Sequence, residues 1–511
     1  MDIRTALRRI ATSTLALAMV LLRVGSPGQT PGAAKLTVPR MWDDAAMATL
    51  EVPLANPVGS PIPVSAEYYY SIPVRPIYKQ YAVYAPGREP AGYMDWLKKQ
   101  EPVLLWDGAG HKPKLETEED WIKAGPIILD APTIYSTENR GGFAMEDVRN
   151  SAWYEKNKMP LTPDGILPFM HYVIREKGKV ELGSFSCSMC HTRVMPDGSI
   201  VKGAQGNFPI GGALATESIP IPPVLWQALF GMPWLHPDPM DRQLHLSDEE
   251  VRILLASEPP GVMTRHRASL FEPIQVPDLI GVKDRHYLDR TGLQQQRSIV
   301  DLMRYAALNQ GADGLSSFDG YIFMDIPNFK KLPSAIDVGG RYSDEQLYAL
   351  ALYIYSLKPP PNPNKFDAAA ERGKKVFEQQ GCSSCHTPPL YTNNKLTPAV
   401  GFTMPRDHLT KYDVLSISVG TDPDLTLNTK RGTGYYKVPS LKGVWYRGMF
   451  GHSGWCATLD DWFDPKRVND DYVPTGFKPY GVKTYAVKGH LFGLNLSAEE
   501  KKDLIAFLKT L

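Results

Sequence analysis

Cysteine is scarce in this chain, with five among 511 residues. Four fall into two short clusters. Cys456 is left with nothing to pair with and is expected to pack as a small buried apolar residue. A basic excess is also missing. Lysine and arginine number 56 against 55 aspartate and glutamate, a formal charge of +1, which gives no electrostatic footing for a nucleic-acid partner. Past the N-terminus no run reaches the roughly 18 apolar residues that a membrane span needs. Proline and glycine run the other way. The 45 prolines and 42 glycines predict long irregular connections between shorter helices.

Residues 1–25 read as a secretory signal. Arg4, Arg8 and Arg9 form a basic start, and an apolar run follows from Ile10 to Leu22. The alternative is an uncleaved anchor, though the run is short for one. Gly25-Ser26 and Ala33-Ala34 both offer small residues for cleavage. Export predicts a periplasmic or secreted protein that is not integral to the membrane once cleaved.

The two cysteine clusters are Cys187-Ser188-Met189-Cys190-His191 and Cys382-Ser383-Ser384-Cys385-His386. Both read C-x-x-C-H, the attachment pattern of a c-type haem. Two thiols at this spacing can each form a thioether to a vinyl group of the porphyrin, and the following His can ligate the iron. A thiol redox pair or half of a zinc site would not need a His directly after each pair. The expected cofactors are therefore two covalent haems, on Cys187, Cys190 and His191 and on Cys382, Cys385 and His386.

The regions around the motifs share an order. Glu176-Lys177-Gly178-Lys179 precedes the first motif at the same distance as Glu371-Arg372-Gly373-Lys374 precedes the second. Val276-Pro277-Asp278-Leu279-Ile280-Gly281-Val282 matches Val438-Pro439-Ser440-Leu441-Lys442-Gly443-Val444. Helices starting at Ser343 and Ser497 end the two copies, with capping boxes to Gln346 and Glu500. Pro359-Pro360-Pro361 stops the first helix and begins a stiff linker. The pattern predicts a mainly α protein with two tandem cytochrome c-type haem domains, 171–358 and 366–511. A helix should enter each motif, and the terminal helix should cross it. An irregular N-terminal segment, 35–170, should wrap the domains in loops and short helices. Its Tyr68-Tyr69-Tyr70 cluster reads as packing rather than as a channel. A further helix is expected after Ser247.

With Val438–Val444, Phe450-Gly451-His452-Ser453-Gly454 and Ala457-Thr458-Leu459 in view, the chain resembles the bacterial di-haem cytochrome c peroxidase superfamily. That group is akin to the di-haem enzyme that matures methylamine dehydrogenase and to the di-haem rubber oxygenases. Residues 186–208 and 301–313 look closest to the rubber-oxygenase-like branch. The resemblance implies an oxidoreductase with a small redox protein or cytochrome as electron partner and a small-molecule or polymer substrate. It also implies a calcium ion between the domains, for which no ligands are assigned. Two departures stand out. Asn207 occupies the place of the usual distal His of the first haem, and Lys466 that of a Met or Tyr ligand in the second half.

An iron with one protein ligand keeps an open site for chemistry, and one with two suits electron transfer. For the second haem the candidates are Met404, His408, Met449, His452 and His490. His490, in Lys488-Gly489-His490, is the expected ligand, because a similar Gly-His pair supplies one in related cytochromes. His452 is expected in the second shell at the haem edge. For the first haem His236, His245, His266 and His286 are available, none with a supporting motif. Haem 1 is thus expected to activate hydrogen peroxide or O2, with haem 2 as relay. Gln294, Gln295, Gln296, Arg297 and the helix at Ile299–Leu308 follow the first Val-Pro motif and are the candidate catalytic pocket. There, Gln or Arg could stabilise charge as it develops. A pure electron-transfer cytochrome with both irons six-coordinate is the alternative.

Overall fold

A computed structural model describes residues 36–55, 62–137, 143–215, 241–264, 269–309, 316–318, 321–322, 340–429 and 432–511. The signal-like residues 1–25, His236 and His266 lie outside them. Residues 37–511 form one contact unit. Among the described residues no helix is long and apolar enough to cross a membrane.

Capping fixes where the main helices begin. Ser343 accepts from the Gln346 N–H at 3.1 Å and its own N–H donates to Gln346 Oε1 at 2.8 Å. Ser497 and Glu500 repeat the arrangement at 3.2 and 2.9 Å. These reciprocal bonds satisfy first-turn donors that helix geometry leaves orphaned. The helices run Asp344–Ser356 and Ala498–Lys509. The expected helices Asp248–Ala256, with its own capping box, and Ile299–Leu308 are present as well.

The helix Ala498–Lys509 packs on Ala368–Gln379, which leads into Cys382. The crossing is close enough to require glycine. A Cβ on Gly373 would overlap the Asp503 carbonyl and sit 2.9 Å from Phe507 Cβ. Arg372 adds a bidentate pair to Asp503 at 2.6 and 2.8 Å. The helix Asp344–Ser356 makes the same kind of crossing with a different partner, Glu118–Leu129. Here a Cβ on Gly125 would overlap Tyr353 and lie 2.6 Å from the Ala349 carbonyl oxygen. Ala349 and Tyr353 stand to Ser343 as Asp503 and Phe507 stand to Ser497, so Gly125 is the counterpart of Gly373.

This corrects the expected helix entering the first motif. Glu176-Lys177-Gly178-Lys179 is the turn of a β-hairpin, Ile166–Glu176 with Lys179–Ser184, in which Glu176 pairs Lys179 and Gly178 takes φ +85°. The strand is rich in Val, Ile and aromatic residues and buried on both faces, which favours the pleated state. Gly178 supplies the left-handed conformation that a two-residue hairpin needs. The hairpin is the centre of an antiparallel sheet ordered Gln80–Tyr84, Ile166–Glu176, Lys179–Ser184, Ile134–Tyr135. With six sheets among the described residues, the fold is helical with a substantial β component rather than mainly α. The residues expected to be loops and short helices hold two strands of this sheet and one of the main helices.

The tyrosine cluster is packing, as expected. Trp42 stacks on Tyr69 with ring centres 4.2 Å apart, and Tyr69 meets Tyr70 edge-on at 5.1 Å. Tyr70 donates to Asp344 Oδ2 at 3.0 Å, tying this segment to the first turn of the Asp344–Ser356 helix. Cys456 is fully buried beside Trp455, Tyr472 and Phe477, and no disulfide joins any of the five cysteines.

Candidate functional site

Gly381, at φ +73°, ends the Ala368–Gln379 helix and turns the chain into the second motif. The His386 N–H donates to the Cys382 carbonyl at 2.9 Å, and in the first motif the His191 N–H donates to the Cys187 carbonyl at 3.0 Å. Both pentapeptides therefore close the same turn, with the His folded back over its cysteines. His386 Nδ1 lies 3.1 Å from the Tyr391 carbonyl oxygen. That contact makes Nδ1 the N–H and leaves Nε2 as a free lone pair, the usual arrangement of a metal-ligating histidine. Burial keeps the ring neutral by lowering its pKa. Burial also pushes the Cys382 thiol up to about 11, the reverse of what a nucleophilic C-x-x-C thiol requires. Among the described residues no three His, Cys, Asp or Glu side chains gather to hold a bare metal ion, so the cysteine pairs do not combine into one zinc site.

His490 faces His386 with ring centres 6.3 Å apart and ring planes at 60°. Two imidazoles sharing a metal, each through a bond of about 2 Å, have centres roughly 6 Å apart. The spacing fits an iron between them. His490 is buried, its pKa is pushed down to about 3 by desolvation and then by His386 and Arg467, and its Nδ1 has no hydrogen-bond partner in the protein. A neutral imidazole is the ligating form. Leu441, Val444, Phe450, Trp462, Leu504 and Leu508 wall the cavity that both rings line with Cys382 and Cys385. Met404, His408 and Met449 do not line it. His408 instead bonds Tyr435 OH at 2.8 Å through Nδ1.

Two devices hold His490 there. Its backbone is left-handed, φ +47°, and its N–H donates to the Val419 carbonyl at 2.7 Å. Gly489 lets the chain approach so closely that a Cβ would lie 2.5 Å from the Gly420 carbonyl carbon. The second device is Arg467, which nothing in the sequence singled out. Its buried guanidinium donates to the carbonyls of Val487 at 2.5 Å, Gly489 at 3.0 Å and His490 at 2.7 Å. It stacks over Trp462 at 4.7 Å and bonds that residue's carbonyl at 2.8 Å. Arg467 follows Lys466, the position where a ligand was missing, but it acts on the loop that carries His490.

His452 also lines this cavity. Its ring stacks on Tyr436 at 4.3 Å, meets Trp455 edge-on at 4.3 Å and lies 3.6 Å from Asp422. It is fixed by neighbours at the cavity edge and does not face His386.

In the first motif, Ser186 caps the Cys187–Cys190 turn by accepting from the Met189 N–H at 3.3 Å. Cys190 Sγ lies 3.5 Å from Met263 Sδ. Of the described candidate ligands, His245 and His286 are exposed and paired with Asp241 and Asp413. Gln295, Gln296 and Arg297 are elsewhere too. Gln295 donates to the Thr49 carbonyl at 3.0 Å, Gln296 to those of Val282 and Arg285 at 2.7 Å, and Arg297 pairs with Asp301 at 2.9 Å. Gln295 and Arg297 brace the N-terminal segment through Thr49, and all three line a separate cavity of about 410 Å³ with His286, Tyr355 and Asp413, which none of Cys187, Cys190 and His191 lines. Gln294 bonds Glu51.

Close to the first motif lies a carboxyl with no sequence signal, Glu258. It accepts from the Thr264 N–H at 2.6 Å, one residue from Met263. Burial raises its pKa from 4.5 to about 8. The folded state therefore keeps a proton that the unfolded chain releases between these values, and stability falls as pH rises through that window. Glu258→Gln should remove the loss and stabilise by up to roughly 4 kcal/mol at pH 8, with no gain at pH 4. Denaturant titrations at both pH values check this, and an equal effect at both would sink it.

No family model matches the sequence. A cytochrome-c peroxidase, IdrP1 of Denitromonas iodatirespirans, is 29% identical over 164 residues, which cover 28% of this chain and 40% of that protein. Two solved structures align more loosely. A xenon-pressurised hydrazine synthase of Kuenenia stuttgartiensis is 16% identical over 52% of this chain and 79% of its own, at a TM-score of 0.29. A MauG-like protein associated with microbial copper homeostasis is 19% identical over 47% and 73%, at 0.28. The peroxidase match is a distant likeness to a haem oxidoreductase.

Proposed function

We propose that the chain is an exported di-haem c-type cytochrome oxidoreductase that activates hydrogen peroxide or O2 at the first haem and uses the second as electron relay. The observation that carries this is the second motif, where His386 and His490 face each other across one cavity that Cys382 and Cys385 also line, which suits an iron closed on both sides to electron transfer. The first haem is assigned the chemistry because Asn207 stands where the resembling group has its distal His. Cys382 and Cys385 would hold one porphyrin by thioethers and His386 and His490 would ligate its iron. Cys187, Cys190 and His191 would hold the other. Bound haem supplies one-electron redox chemistry.

The chain's own residues set up the rest. Tyr391 orients His386, Arg467 and Gly489 fix His490, and apolar side chains keep water from the relay. The likeness to a cytochrome-c peroxidase favours hydrogen peroxide as oxidant. Its reduction to two waters takes two electrons and two protons, the electrons arriving from a reduced cytochrome or other small redox protein. Optical and EPR spectra with cyanide and CO test the reading. One haem should be high-spin and bind them while the other stays low-spin. Two low-spin irons inert to both would leave an electron carrier. Turnover of peroxide with a reduced cytochrome, set against O2 uptake with a polyisoprene, separates the two oxidants.

A further inference from the structure

Positive charge crowds one wall of the cavity between His386 and His490. Arg290, Lys437 and Arg447 all line it, and Arg193 and Arg285 lie behind them, with burial acting against the charge of each. Two buried carboxylates, Asp278 and Asp289, stand nearby. Asp278 is already engaged, accepting from the Ile280 N–H at 2.9 Å and from Tyr446 OH at 2.6 Å. Its distance to Arg447 Nε is 3.9 Å, and that Nε has no hydrogen-bond partner. The Lys437 ammonium donates to the Tyr287 carbonyl at 3.1 Å, and Arg290 Nε reaches the Gln275 carbonyl at 3.4 Å. Five partly buried cations thus share two buried carboxylates, with the exposed Asp284 also acting on Arg285. Uncompensated buried charge is costly, and a buried cation normally implies an anion that neutralises it. A haem-type porphyrin carries two carboxylate side chains.

We propose that Arg290, Lys437 and Arg447 clamp the carboxylates of the porphyrin attached at Cys382 and Cys385, an inference that rests on the haem reading above. The clamp draws on both parts of the chain. Arg290 follows the first Val-Pro motif and Lys437 immediately precedes the second, and the Lys437 N–H donates to the Arg290 carbonyl at 3.0 Å. One porphyrin would therefore pin the segment around Arg290 to the half that carries it. The same cations raise the iron's potential, because positive charge favours the reduced state.

The test uses the full-length haem-loaded protein and the variants Arg290→Gln, Lys437→Gln and Arg447→Gln, with Arg290→Lys as the charge-retaining control. Covalent haem is counted by mass and pyridine haemochrome, and the midpoint potential of the low-spin haem is read by optical redox titration. The neutral variants should keep two covalent haems and lower the equilibrium constant for reducing the low-spin iron about tenfold, which is about 59 mV for one electron. Arg290→Lys should change it less than threefold. Unchanged potentials in the neutral variants, with both haems attached, would overturn the clamp and leave the haem reading intact. Absence of covalent haem from the unmutated protein would overturn the haem reading itself. Should one variant fail to fold, the other two report the same quantity.

Discussion

Replacing His490 by alanine is expected to leave both haems covalently attached and to convert one of the two irons from low to high spin. The ring centre lies 6.3 Å from that of His386, and among the described residues lining this cavity His490 is the histidine that faces it. The thioethers at Cys382 and Cys385 do not depend on it, so attachment should survive. Added imidazole should restore the low-spin spectrum by occupying the space vacated. Gly489→Ala should act in the same direction, because its Cβ would press on Gly420 and Thr421 and displace the loop that sets the ring. Arg467→Gln should as well, since it loses most of the donors that hold the carbonyls of residues 487, 489 and 490. His452→Ala should leave the spin state unchanged. EPR and visible spectra read all four, and a low-spin spectrum retained in His490→Ala would refute the ligand assignment.

Gly373→Ala and Gly125→Ala form the second test, and its sign is informative. By helix propensity alone, each change in an isolated helix would stabilise by about 1 kcal/mol. At both crossings, however, the new methyl meets backbone or the Cβ root of a side chain rather than a movable tip. Such overpacking typically costs about 1–3 kcal/mol and occasionally more. Both variants should therefore be destabilised by at least about 2 kcal/mol, measured as a lower thermal midpoint. Arg372 and Asp503, which bond across the Gly373 crossing, should not rescue it. A stabilised Gly125→Ala protein would show that the Glu118–Leu129 helix does not cross Asp344–Ser356 as described.

What could be read from the sequence were features set within a few residues. Capping boxes at Ser343 and Ser497 depend on contacts three positions apart, and they appear where the pattern places them. The turn of C-x-x-C-H is likewise local. His490 emerged because Gly-His before a capped helix is a short motif, and the geometry brings it to His386. Features set at long range are not legible in this way. Glu176-Lys177-Gly178-Lys179 and Glu371-Arg372-Gly373-Lys374 are nearly the same four residues, yet one turns a hairpin and the other runs through a helix. The difference comes from flanking residues 166–175, whose two buried faces suit a central strand. Gln295, Gln296 and Arg297 follow the first Val-Pro motif, and position along the chain holds no information about which cavity they line. Arg467 and the cations around Arg290 were invisible because burial of a charged side chain is decided by residues far away in sequence.

The hairpin between Gly125 and the first motif also bears on how the molecule can be divided. The second half keeps its crossed helices, both facing histidines and its motif in one continuous stretch after Pro361. The first half does not. The helix that packs on Ala349 and Tyr353 is made more than two hundred residues before them, and the hairpin is laid down in between. A fragment cut at residue 171 would contain a complete motif and a capped helix whose Ala349 and Tyr353 side had lost its cover. During synthesis the same helix must wait, with its small-residue face open, until residue 356 has left the ribosome. The chain's beginning and its middle therefore share one helix crossing, whereas the crossing at Gly373 is made within the end of the chain.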